Sequence, residues 1–120
     1  MMLEDKNVCI VVTELMHEIG APAHLKGHDY LVSALCKSYT DRSYLENVTN
    51  KLYPAIAAEY DTTASGVERG IRTVIESAWL RGNNHTIDTI FKNTVDCIKA
   101  KPSNKEFMSM IICHLKISNM

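Results

Sequence analysis

The chain has 120 residues, a formal net charge of −1 and a hydrophobic content of 46%. This length supports one hydrophobic core and is too short for two, so we expect a single domain over residues 1–120. A net charge this close to zero excludes a uniformly basic nucleic-acid-binding protein. No stretch approaches the roughly 20 apolar residues of a membrane span. The acidic start of the chain is unlike a signal peptide, and we expect a cytoplasmic protein.

Three amphipathic patterns in the first half of the chain predict helices. The first is followed by Gly20 and Pro22, which are residues that end helices. The third begins near Tyr44. The apolar positions are Val8, Val11, Val12, Leu15, Met16 and Ile19 in the first pattern, Tyr30, Leu31, Ala34, Leu35 and Tyr39 in the second, and Leu45, Val48 and Leu52 in the third.

A short helix over residues 54–60 and a longer one over residues 64–81 follow, separated by only three residues. Pro54 is tolerated in a first helical turn, and Thr63 is a suitable N-cap for the second helix. Gly82 follows as an expected left-handed C-cap. A short helix, a tight turn and a longer helix are typical of a helix-turn-helix motif, although antiparallel helix pairs with charged outer faces share this pattern.

The longer helix has an apolar stripe and a charged outer face. Arg69 and Arg72 lie three residues apart, so their guanidinium groups leave the same side of the helix. Forked donors of this kind suit guanine edges and phosphates. Glu68 lies outside the stripe and could accept from a cytosine amine or hold an arginine. Its spacing of three residues from Ser65 also permits a plain capping role. The stripe consists of Val67, Ile71, Val74, Ile75 and Ala78.

Two further helices complete the chain. One is short and is expected to run on toward Val95. The other begins at a capping box formed by Ser103 and Glu106. The sequence therefore predicts an all-α fold, a compact bundle of about six helices that contains a helix-turn-helix. The apolar positions of the first helix are Ile87, Ile90 and Phe91. The expected buried face of the second consists of Phe107, Met110, Ile111, His114 and Leu115.

Charge is distributed unevenly along the chain. Through Asp61 there are five Lys or Arg residues against nine Asp or Glu, whereas residues 62–105 have seven against four. The longer helix of the helix-turn-helix pattern, over residues 64–81, lies in the basic half, so a local field rather than the total charge would attract DNA.

The sequence offers little other chemistry. The four cysteines are far apart, lie mostly on apolar helix faces and contain no C-x-x-C pair, which favours reduced core residues over disulfides. His24 and His28 have the spacing of a helical metal pair but no evident third ligand. Nothing resembles a nucleophile motif. We therefore expect no enzyme activity, no metal, no cofactor and no small-molecule substrate.

The chain contains a series of distinctive short segments. They are His17-Glu18-Ile19-Gly20, Pro22-Ala23-His24, Lys26-Gly27, Tyr30-Leu31, Leu52-Tyr53-Pro54, Thr62-Thr63-Ala64-Ser65, Val67-Glu68-Arg69, Ile71-Arg72, Ala78-Trp79, Arg81-Gly82, Lys99-Ala100-Lys101-Pro102, Asn104 and Glu106-Phe107. Together these segments resemble one known family, the C-terminal DNA-binding domains of stage 0 sporulation protein A, which are effector domains of two-component response regulators. The resemblance covers the chain from about Val8 to Leu115.

The resemblance implies a transcription regulator of sporulation that binds duplex DNA, with no receiver domain in this chain. It also implies a surface for the housekeeping sigma subunit of RNA polymerase. The implied DNA-binding residues are Thr62, Thr63, Ser65, Gly66, Glu68, Arg69, Arg72 and Thr73, and the implied sigma contacts are Gly82, Thr86, Phe91 and Val95. Phe91 and Val95 are also candidates for simple core positions.

Some residues depart from the family pattern. Gly66 stands where arginine is usual, Thr73 where histidine is usual, Gly70 where alanine is usual and Thr86 where serine is usual. The changes at Gly66 and Thr73 put the DNA sequence preference in doubt. They leave open an alternative, a helical protein-interaction module of the same fold that has lost specific DNA binding. We expect a monomer when free and two neighbouring copies on tandem DNA sites.

Overall fold

Helices account for most of the backbone that the computed structural model describes, which is residues 5–91 and 101–118. These residues form seven α-helices and one π-helical turn, and they contain no strand. The expected all-α bundle is thus confirmed, with one helix more than expected. The α-helices are α1 (Asp5–Ile19), α2 (Lys26–Thr40), α3 (Ser43–Glu46), α4 (Tyr53–Glu59), α5 (Ala64–Arg81), α6 (Asn84–Phe91) and α7 (Asn104–Ser118), and the π-helical turn spans Val48–Leu52.

The third predicted helix is wrong as one continuous element. Asn47 leaves the helical conformation, with φ −141° and ψ 62°, and this ends α3 after a single turn. The backbone N–H groups of Lys51 and Leu52 then both donate to the carbonyl of Asn47, at 2.9 and 3.2 Å. The chain passes through this π-helical turn directly into α4. The apolar residues keep their helical spacing on both sides of Asn47, so this spacing gives no sign of the break in the backbone.

Helix α2 lies at the centre of the bundle. It packs against α1, α3, α4, α5 and α7. It crosses α5 at close range, since a Cβ on Gly27 would lie 1.9 Å from the carbonyl oxygen of Gly70. The two backbones can come this close only because Gly27 has no side chain. The position of α5 therefore depends directly on this crossing.

The core is continuous and apolar. Leu31, Ile71, Ile75, Phe107 and Ile111 are fully buried and come from three different helices. The radius of gyration is 13.3 Å, close to the roughly 14 Å expected for a compact chain of this length. None of the described helices is both long enough and apolar enough to cross a membrane.

Candidate nucleic-acid interface

Helix α4 ends in a Schellman motif, which forms the turn between α4 and α5. Asp61 takes a left-handed conformation with φ 53°, which aspartate tolerates better than most residues. The N–H of Thr62 then donates to the carbonyl of Ala57 at 2.9 Å, the bond that defines this helix ending. The predicted helix bounds are confirmed to within one residue, with α4 at Tyr53–Glu59 and α5 at Ala64–Arg81.

Thr63 caps α5 as predicted. Its hydroxyl accepts from the N–H of Gly66 at 3.0 Å, and its carbonyl accepts from the N–H of Val67 at 3.0 Å. The predicted apolar stripe is also confirmed, because Val67, Ile71, Val74, Ile75 and Ala78 are all buried. This burial fixes the rotation of α5, so that the remaining face points away from the core.

That remaining face carries most of the residues that the sequence assigned to DNA. Ser65, Arg69, Arg72 and Thr73 are exposed, and so is Thr63 in the turn. Thr62, Gly66 and Glu68 are half-buried beside them. We call the surface formed by these eight residues the α5 outer face.

Two side chains of the α5 outer face are held by the helix itself. A carboxylate oxygen of Glu68 lies 3.6 Å from Nη1 of Arg72, an ion pair across one helical turn. The hydroxyl of Thr73 donates to the carbonyl of Arg69 at 2.9 Å. Glu68 is thus placed to orient Arg72, one of the roles considered for it above.

An open cleft lies on each side of this face, and Arg69 borders both. The first cleft is formed with the π-helical turn and α4, the second with the start of α2. The second is lined by Lys26, an exposed cation, as well as by Arg69. The lining residues are Thr49, Tyr53, Ala64, Ser65, Glu68, Arg69 and Arg72 in the first cleft and Leu25, Lys26, Gly27, Tyr30, Thr62, Gly66, Arg69, Gly70 and Thr73 in the second.

Asn104, at the start of α7, links both helices of the motif. Its side-chain amide donates to the hydroxyl of Tyr53 at 3.0 Å and lies 3.2 Å from the carbonyl of Glu68. Tyr53 is buried, and this burial raises the pKa of its hydroxyl. The sequence matched Asn104 to the family but assigned it no role, because its partners are far away along the chain.

A second link joins α4 to α2. The carboxylate of Glu59 accepts from the hydroxyl of Ser33 at 2.8 Å and from the ammonium of Lys37 at 2.8 Å. The hydrogen bond from Lys37 is the largest cause that lowers the pKa of Glu59. Tyr60 adds an edge-on contact with the ring of Tyr30, with centroids 5.3 Å apart. The first helix of the motif is therefore fixed to the centre of the bundle.

The residues assigned to the sigma subunit differ in their exposure to solvent. Thr86 is half-buried on α6, whereas Phe91 is fully buried between Trp79 and Phe107, with both ring centroids 5.3 Å away. Phe91 therefore occupies a core position, the second of the two roles considered for it. Val95 lies outside the described residues.

Gly82 follows α5 as predicted, but its expected left-handed conformation is wrong. Its backbone is extended, with φ −77° and ψ −174°. Glycine is needed here for space, since a Cβ would lie 2.2 Å from the carbonyl oxygen of Ile19 and 2.3 Å from that of Ala78. The neighbouring N–H of Asn83 donates to the same Ile19 carbonyl at 2.8 Å. Gly82 thus joins the ends of α1 and α5.

The histidines and cysteines also differ in part from expectation. His28 is buried and stacks on His17, with ring centroids 5.8 Å apart, while His24 is exposed. No group of three metal-binding side chains occurs among residues whose placement is described. Cys9 and Cys113 are exposed rather than in the core.

The comparison with known protein families agrees with this geometry. Residues 12–115 match the family model described as "Sporulation initiation factor Spo0A C terminal". The match spans both helices of the motif, the central helix α2 and most of α7. The chain therefore belongs to the family of C-terminal DNA-binding domains of the sporulation initiation factor Spo0A.

Proposed function

We propose that the chain recognises a specific duplex DNA sequence by placing α5 in the major groove. The observation that carries the proposal is the exposure of Arg69 and Arg72 on one face of a helix whose opposite face is buried. At least one of these arginines would donate a bidentate pair to O6 and N7 of a guanine. The Glu68 carboxylate would hold Arg72 in position for this contact.

The start of α5 supports phosphate contacts. Thr62, Thr63 and Ser65 lie at a helix N-terminus, where free N–H groups and the helix dipole favour anions. Gly66 and Thr73 belong to the same face but bring no charge. Lys26 lines the second cleft together with Arg69 and adds a cation from a different helix. It would contact the phosphate backbone without selecting a base.

A binding titration tests the proposal. The duplex that carries the family's DNA box is compared with a scrambled duplex at several stated salt concentrations. Each mismatch costs about 1–3 kcal/mol, so several mismatches should weaken binding by roughly a hundredfold or more. Equal affinity for both duplexes would instead support the interaction module that has lost specific DNA binding.

Contact with the sigma subunit of RNA polymerase is a separate proposal, which rests on family membership and on the surface around Gly82 and Thr86. Replacing Thr86 with alanine should leave DNA affinity unchanged and reduce transcription from a target promoter. Thr89→Ala is the matched control, because Thr89 is an exposed threonine on the same helix. Equal transcription by the two variants would contradict the proposal.

We further propose that the protein is a monomer when free and binds tandem boxes as neighbouring copies about one DNA turn apart. Gly66 removes one potential base contact, so binding to each half-site should depend more on the neighbour. Light scattering on the free protein and footprinting on duplexes with one or two boxes test this. A stable dimer without DNA, or the same affinity for one box and two, would refute it.

A further inference from the structure

Two cysteines meet where α1 packs against α2. The Cys36 thiol is hydrogen bonded to Cys9, although 27 residues separate them in the chain. The stacked rings of His17 and His28 lie eight residues farther along α1 and eight residues back along α2. Both contacts therefore belong to one antiparallel register, and the approach of the two sulfur atoms follows from the packing of the whole helix pair.

The two thiols differ in their access to solvent. Cys9 is exposed, and Cys36 is half-buried. Burial is the largest cause that raises the pKa of the Cys36 thiol, and its hydrogen bond to Cys9 raises it further. Because Cys9 is the more exposed of the two, it is the sulfur that a dissolved oxidant reaches first. Cys36 stays protonated at its side.

We propose that Cys9 and Cys36 form a reversible disulfide between α1 and α2 when the protein meets a hydroperoxide. In the first step the Cys9 thiolate attacks a peroxide oxygen and the O–O bond breaks. With hydrogen peroxide this leaves a sulfenic acid on Cys9 and a hydroxide that takes up a proton to become water. In the second step Cys36 attacks the Cys9 sulfur. The S–S bond forms, the S–O bond breaks, and the hydroxide leaves as water with the Cys36 proton.

The disulfide would lie beside the helix-turn-helix. Cys36 is close enough to Lys37 and Glu59 for both charges to affect its titration. Glu59 is the residue that links α4 to α2 through Ser33 and Lys37. Closing the loop between Cys9 and Cys36 restricts the unfolded chain, so oxidation should raise the melting temperature.

Peptide mapping tests the proposal. The folded full-length chain is treated with a small excess of hydrogen peroxide, its remaining thiols are blocked with iodoacetamide, and it is digested without reductant. Mass spectrometry should find the Cys9 peptide linked to the Cys36 peptide and lighter by two hydrogen atoms. Dithiothreitol should separate the two peptides and return the melting temperature to its starting value.

Variants identify the order of the steps. A chain with Cys97→Ser and Cys113→Ser keeps only the proposed pair and should give the same linked peptide. Cys36→Ser should leave a sulfenic acid on Cys9 that dimedone traps. If peroxide oxidises the exposed Cys113 while Cys9 and Cys36 stay unlinked, the proposal is wrong. The wild-type peptide map decides this even where a serine variant does not fold.

Discussion

Arg72 combines exposure with an internal orienting partner, since Glu68 lies 3.6 Å from it on the same helix. Arg72→Ala should cost roughly 1–3 kcal/mol of binding free energy on the family's DNA box and much less on a scrambled duplex. Arg81→Ala is the control, because Arg81 is an exposed arginine at the other end of α5. An equal loss on both duplexes would mean that Arg72 contacts only phosphate.

Gly66 offers a gain-of-function test on the same face. A Cβ there would lie 3.1 Å from the hydroxyl oxygen of Thr62 and 3.2 Å from that of Thr63, so any side chain crowds the cap slightly. Gly66→Ala measures this crowding alone. Gly66→Arg adds a forked donor and should bind DNA more tightly than Gly66→Ala, in an electrophoretic or fluorescence titration. If the two variants bind alike, position 66 does not face the DNA.

Residues with local partners could be predicted from the sequence. The Thr63 cap and the capping box are examples, the latter with the N–H of Ser103 donating to Glu106 at 2.8 Å. Both depend on a spacing of three residues. Asn104 could not be predicted in this way, because its partners Tyr53 and Glu68 come near it only after the helices pack.

At the scale of the elements, the crossing of α2 and α5 controls how the outer face is presented. Gly27→Ala would place a methyl group 1.9 Å from the backbone oxygen of Gly70, so the helices must separate. We expect a loss of stability of about 1–3 kcal/mol or more, the usual cost of overpacking, measured by urea denaturation. Gly70→Ala is the comparison at the same crossing, since its Cβ would meet the Tyr30 ring at 2.9 Å and the Cα of Gly27 only at 3.3 Å.

Gly70→Ala should be much milder, because alanine favours the helix by roughly 1 kcal/mol over glycine and this gain offsets the shift of the ring. Equal destabilisation by the two variants would show that the crossing is not governed by Gly27. The sequence indicated two helices here, but it gave no sign of which residues cross. Amphipathic spacing identifies the buried face of a helix, but it does not identify the helix that packs against that face.

Because apolar spacing carries no information about tertiary neighbours or backbone breaks, the predictions for the third helix and for the backbone of Gly82 were wrong. Apolar residues at Leu45, Val48 and Leu52 fit one helix, and the backbone break at Asn47 changes the hydrogen bonding without removing them from the core side. Gly82 follows α5 as predicted, but glycine is needed there for lack of space and not for a left-handed backbone. Its need for space comes from Ile19, on a helix at the other end of the sequence.

At the scale of the whole molecule, acid should weaken the fold through three carboxyl groups. Hydrogen bonds from Ser43 lower the pKa of Asp41, and the backbone hydrogen bond from Ser103 lowers that of Glu106. The hydrogen bond from Lys37 lowers the pKa of Glu59. A lowered pKa in the folded state means that each charged carboxylate stabilises the fold above its ordinary value, 3.8 for aspartate and 4.5 for glutamate.

Stability should therefore be steady above those values and fall as the pH drops through the lowered pKa of each group. Urea denaturation at a series of pH values measures this. Glu59→Gln should lower stability at neutral pH, and its difference from the wild type should vanish in acid. In a Lys37→Gln background the largest cause of the lowered pKa is gone, so Glu59→Gln should change the acid slope much less. The same change of slope in both backgrounds would show that the Glu59 carboxylate owes its stabilising effect to a group other than Lys37.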